Sequence, residues 1–230
     1  MKKLKRITNW KTTIINFLKN NSKEYLLVII IFIIGMFIGV MLVNNTSVEN
    51  QQIIENYILN FIEKFKSIAN LDKLNLLTTS IKDNIILAIA LWIAGTTIIG
   101  MPIVFGIILF RGFCFGYTVA AVTFTLGLGK GIFFCILSLF LQNIFFILAI
   151  LTIGVSSIKL YKSIIADRRK ENIKIEIVRH TVISLLMLVV LIFSSFIENR
   201  ISVNLLKFGI KYFWLGVIIH SSSIFGLKIW

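Results

Sequence analysis

Few side chains in this 230-residue chain could do chemistry. The cysteines and histidines, the usual soft metal ligands, nucleophiles and near-neutral bases, are Cys114, Cys135, His180 and His220, and each stands alone. Metal ligation needs several donors, supplied by pairs such as C-x-x-C or H-x-x-x-H that let one helix face or loop present both. Neither spacing occurs, and the HExxH, Walker and GxSxG signatures are missing as well. Cys114 and Cys135 sit inside apolar runs, where a thiol behaves as a small buried hydrophobe. His180 falls in a basic segment and His220 among serines, neither with a carboxylate or cysteine at ligand spacing. The polar pair Gln142 and Asn143 interrupts an apolar run; amides in such a place hydrogen-bond between helices, or face a pore or a substrate. No catalytic residue, metal site or cofactor is expected, and no small-molecule substrate.

The elements that would position these residues are membrane spans. Hydrophobic residues make up 57% of the chain and the mean hydropathy is +0.93, more apolar surface than a soluble domain can bury in one core. Crossing the hydrocarbon takes roughly 20 apolar residues. Uncharged stretches near or above that length run over 25–43, 84–110, 112–129 and 131–158, with a shorter fifth over 181–197. Long Leu, Ile and Phe runs without alternation predict helices and not a barrel. The expected fold is all-α: a polytopic integral membrane bundle of five transmembrane helices, followed by a weak C-terminal apolar extension over 209–230.

The formal charge of +14 lies beside the spans. Residues 1–24 carry seven Lys/Arg against one acid, and 159–180 carry seven against three, whereas 44–83 carry four Lys against five acids. By the positive-inside rule the N-terminus and the 159–180 segment are expected in the cytoplasm and 44–83 outside. Span counting then puts Arg111 at the cytoplasmic side and Lys130 outside. Basic clusters in these places set topology and meet anionic membrane lipid, so no nucleic-acid partner is expected. The resulting organisation is a basic amphipathic segment over 1–24 with Ile7, Trp10, Ile14, Phe17 and Leu18 at helical spacing, a first span over 25–43, an extracytoplasmic amphipathic segment over 44–83, a core of four spans over 84–208, and the extension over 209–230.

Within 44–83, Thr46 to Glu49 fits a capping box, and Ile53, Ile54, Tyr57, Ile58, Phe61, Ile62 and Phe65 recur at helical spacing. This stripe can lie on the membrane, on the bundle or on a partner. In the last case Tyr57 and Phe61 are the aromatic anchors.

The stretch 84–110 would be about 40 Å long as one straight helix, too long for an untilted crossing. Pro102, with Gly95, Gly100 and Gly106, is expected to kink or split it, because proline cannot donate a backbone hydrogen bond and crowds the preceding turn. Gly112 and Gly116 form a G-x-x-x-G pair, as do Gly35 and Gly39, and such pairs let helix backbones touch where lipid supplies no hydrophobic drive. Broken helices also line transporter sites, so a transporter or permease-like subunit is the second functional class; against it, no carboxylate is found in any of the five stretches.

Residues 112–150 resemble the core of the stage II sporulation protein M family. The similarity lies in Gly112, Phe113, Gly116, Tyr117, Thr118 and Val119, then Gly129, Lys130 and Gly131 as a turn, then Gln142 and Asn143. The family's prolines beside the Gln-Asn pair are replaced here by Leu141 and Leu148. The resemblance implies a multi-pass protein of the cell membrane of an endospore-forming bacterium, at the septal or engulfing membrane. It further implies a non-enzymatic scaffold that holds sporulation proteins D and P, which cut peptidoglycan.

Overall fold

Hydrocarbon offers the backbone no hydrogen-bond partner, and the apolar stretches accordingly fold as helices that satisfy themselves. The computed structural model describes residues 19, 21–68, 73–97, 99–136, 141–166 and 170–197, apart from the side chains of 61–68, 73, 74, 76, 141, 142, 166 and 170–172. The N-terminal amphipathic segment and the extension over 209–230 lie outside the described residues. In chain order the helices are α1 (Ser22–Asn44), α2 (Val48–Ile68), α3 (Lys73–Thr96), α4 (Gly100–Leu126), α5 (Leu128–Cys135), α6 (Leu141–Ala166) and α7 (Lys170–Ile197), with no strand among the described residues. Five segments are long and apolar enough to cross a bilayer: Ser22–Asn44, Leu77–Thr96, Gly100–Leu126, Asn143–Ile165 and Ile173–Ile197. The fold is the all-α membrane bundle expected.

The centre of the bundle is α6, which is buried continuously from Leu151 to Ile158 and touches α1, α3, α4 and α7. Val28 and Phe32 of α1, Leu87 and Leu91 of α3, Val104 and Ile108 of α4, and Leu191 of α7 converge on Ile150 and Ile153. The outer helices turn Ile29, Ile33 and Phe37 (α1) and Leu185, Leu186 and Val189 (α7) outward, a distribution suited to lipid. At one end the Lys162 ammonium donates to the Glu24 carboxylate at 2.7 Å, Tyr25 donates its hydroxyl hydrogen to Thr152 Oγ1 at 3.3 Å, and Gly95 lies against Ser157 and His180. The start of α1, the α3–α4 turn, the end of α6 and the start of α7 therefore share this end, which holds Lys159, Lys162 and Arg179. It is termed the basic end below; the opposite one is the far end.

The division into spans differs from the sequence reading. Instead of one kinked span over 84–110 and another over 112–129 with Arg111 between them, the chain breaks where α3 ends at Thr96 and α4 begins at Gly100. Thr97 N–H and its hydroxyl both reach Ala94 O, and Gly100 N–H donates to Thr97 O, closing a tight turn. Pro102 is thus not a kink. It sits in the first turn of α4, where its missing N–H is one that a helix start leaves unpaired anyway. The helix α4 then runs unbroken through Arg111.

The run 131–158 is also divided. Gly127, at φ +80°, occupies the left-handed region that glycine adopts without strain, and α5 folds back on α4 with Gly131 against the Thr123 backbone. The reversal is at Gly127, while Gly129 to Gly131 are helical. Gln142 and Asn143 begin α6 and do not lie at mid-span. The capping box at Thr46 does not form, because that hydroxyl donates back to Leu42 O at the end of α1.

Candidate functional site

On α3, Thr79, Ser80, Asp83, Asn84, Leu87 and Ala90 recur at three and four, so one helix face is polar toward the far end and apolar toward the basic end. Opposite, α4 presents Ile103, Gly106, Ile107, Phe110 and Arg111 with the same period. Together with Asn143 and Phe146 of α6 and Ser194 of α7, these residues line a cavity of about 960 Å³. Its polar lining is held by a network across α3 and α7: Asn84 Nδ2 donates to Ser195 Oγ at 2.8 Å and to Leu191 O at 3.2 Å, and Ser80 Oγ donates to Ser195 Oγ at 3.1 Å. Asn84 and Ser195 are buried, so each donor spent here avoids the cost of a polar group left dry.

Two charges enter the cavity. Arg111 lies near the middle of α4 with its guanidinium carbon 5.2 Å from the centre of the Phe146 ring, a cation over an aromatic face. Asp83 lies within the Leu77–Thr96 span, which corrects the expectation of spans free of carboxylates. Arg111 in turn is not a cytoplasmic-side residue. Charges at this depth are costly; Arg111 is half-buried over Phe146, and Asp83 is exposed at the open side of the cavity.

Of the residues singled out by sequence, Asn143, Gly106 and Arg111 reach this cavity, the last two in other roles than expected; Gln142 is the neighbour of Asn143 in α6. Gly112 and Gly116 lie elsewhere, in the crossing of α4 with α1, where a β-carbon on either would collide with the backbone of Phe32 or Met36. Gly35 and Gly39 meet the backbone of α4 in the same way. Pro102 is exposed on the first turn of α4. Tyr57 stands exposed on α2, and Phe61 follows one turn later, its side chain outside the described residues. His180 is no loop residue: it is buried within α7, its Nδ1 3.0 Å from Ser156 Oγ. Among the described residues no group of three or more His, Cys, Asp or Glu gathers as a metal site would.

The model of the family described as stage II sporulation protein M matches residues 28–203, most of the chain and all five spans. The chain belongs to the stage II sporulation protein M family. Neither curated proteins nor solved structures give a match. Membership makes this a membrane protein of sporulation and does not favour the transporter reading. In this family member the Gly112-Phe113 and Gly116-Tyr117 steps do two things at once: the glycines admit α1, and Phe113 stacks toward Phe110 and Tyr117 at 6.2 and 6.0 Å between ring centres. Sequence reasoning missed Arg111, Asp83 and Asn84. The available signal was the excess length of 84–110: with the break placed at Gly95–Gly100, Arg111 falls in mid-span.

Proposed function

We propose that this protein is a non-enzymatic scaffold of the engulfment machinery, with its basic end in the cytoplasm and α2 outside, holding the peptidoglycan-cutting sporulation proteins D and P at the septal membrane. The supporting observation is the division of labour on α2. Ile54 and Ile58 pack on the bundle beside Ala120, Ala121 and Val122, which fixes the helix at the far end. The adjacent face is left out of the bundle, with Val48, Ile53 and Tyr57 exposed by 72%, 60% and 71%. A rigidly mounted helix with an uncovered apolar and aromatic face suits helix docking by a partner. The test is Ile53→Ser with Tyr57→Ser in a tagged full-length chain in the sporulating host. An aromatic anchor is worth about 2 kcal/mol or more, so partner affinity is expected to fall at least about tenfold. The double variant should accumulate normally in the membrane and lose D and P in a detergent pull-down. Normal recovery of both would refute α2 as the docking element.

A further inference from the structure

Scaffolding leaves the cavity between α3 and α4 without a role, and it holds one cation and one anion that do not neutralise each other. Among the described residues the ion pairs are Glu24–Lys162 and Glu176–Arg179, and neither involves Arg111 or Asp83. The guanidinium carbon of Arg111 lies 5.2 Å from the centre of the Phe146 ring, and a guanidinium carries N–H donors that match phosphate oxygens two at a time. The two charges are also ordered along the membrane normal. Measured along antiparallel helices from the α3–α4 turn, Arg111 is about 16 Å and Asp83 about 20 Å from it, so the carboxylate is nearer the far end.

The lining has a matching gradient. Thr79, Ser80, Asp83, Asn84, Asn143 and Ser194 are its polar part toward the far end, and Ile103, Ile107, Leu87 and Ala90 continue it toward the basic end. Within the apolar part, between Ile103 and Ile107, Gly106 opens the wall: a β-carbon added there would meet nothing within 4 Å. The volume, about 960 Å³, is within the range of sites that take a whole small ligand, roughly 300–1,000 Å³.

We propose that this cavity binds the headgroup of a zwitterionic aminophospholipid from the far-end leaflet, its phosphate on Arg111 and its ammonium on Asp83, with an acyl chain along the Gly106 groove. The sequence of groups in such a lipid, chain then phosphate then amine toward the surface, is the sequence that the cavity presents: apolar groove, guanidinium, carboxylate. An amphiphile seated this way compensates both charges, with its headgroup drawn below the far-end surface to the depth of Arg111 and its chain continuing toward the basic end.

The full chain, purified in detergent and stripped of lipid, is titrated with phosphatidylethanolamine or phosphatidylglycerol and read by native mass spectrometry. One tightly retained phosphatidylethanolamine is expected, with phosphatidylglycerol about tenfold weaker because its headgroup lacks the ammonium. Arg111→Gln should weaken both lipids about tenfold, and Asp83→Asn should abolish the preference between them. Gly106→Leu, for which the wall has room, should reduce retention of both with the melting temperature unchanged, and it carries the test if Arg111→Gln does not fold. Equal retention by wild type, Arg111→Gln and Gly106→Leu would show ordinary annular lipid and overturn the proposal. So would equal binding of the two lipids by wild type, or displacement of the lipid by millimolar inorganic phosphate, which would reduce the site to a phosphate pocket without a chain groove.

Discussion

The carbonyl oxygen of Phe32 in α1 occupies the place that a β-carbon on Gly112 in α4 would take. The relation repeats one turn on, between Gly116 and Met36 O, and is reciprocated by Gly35 against Leu109 O and Gly39 against Phe113 O. The two parallel helices are thus in backbone contact along both glycine pairs, and lipid cannot substitute for that contact. Gly112→Leu and Gly116→Leu should each cost on the order of a few kcal/mol and lower accumulation in the membrane, read by immunoblot and thermal unfolding in detergent. Gly106→Ala, facing open space, is the control expected near wild type. Normal accumulation of both leucine variants would remove the packing explanation.

Asn84 joins α3 to α7 through Ser195 and the Leu191 carbonyl inside the bundle. Asn84→Ala deletes both bonds and leaves a buried hydroxyl and carbonyl less satisfied, at about 1–3 kcal/mol. The expected result is a clear drop in melting temperature; an unchanged value would mean that water takes over the role of the amide.

Pro102→Ala should change stability by less than about 1 kcal/mol. A proline inside a helix costs about 3 kcal/mol, but this one occupies the first turn of α4, where no intrahelical bond is lost. A large stabilisation on replacement would place Pro102 in the helix interior after all.

Orientation can be read by labelling in a background without Cys114 and Cys135. A cysteine at Asn56, exposed on α2, should react with an impermeant maleimide in whole cells, and one at Lys170 should not. The motive is the basic composition of 1–24 and 159–180 against the net-acidic 44–83, with Glu24 and Lys162 paired at one end of the bundle. Labelling at Lys170 alone would invert the proposed topology.

Burial among Val122, Leu126 and Phe134 pushes the Cys135 thiol up to about 11, because the apolar surroundings disfavour the thiolate. At pH 8 about one thiol in a thousand is then ionised. Alkylation of folded protein should be slow at that pH and rise about tenfold per pH unit up to roughly pH 10. Rapid labelling at pH 8 would mean that α5 detaches readily from α4.

Hydropathy, a local property of the chain, was enough to establish five helices long and apolar enough to cross a membrane. The glycine pairs were legible for the same reason: Gly35, Gly39, Gly112 and Gly116 each have the spacing that puts two small residues on one helix face. Which faces meet is another matter, and only the packed bundle paired the α1 glycines with those of α4. It also decided where the long run over 84–110 breaks. A stretch of uniformly apolar residues carries no periodic signal of its own ends, and Pro102 fits a helix start as well as a kink. Moving the break to Thr96–Gly100 carried Arg111 from a loop to mid-membrane, buried Asn84 in the bundle and set Asp83 on the cavity's edge. The cavity that joins them draws on four helices, from Thr79 in α3 to Ser194 in α7. Period and composition describe one helix at a time. A site formed between helices exists only once their rotations and depths are set by packing against α6.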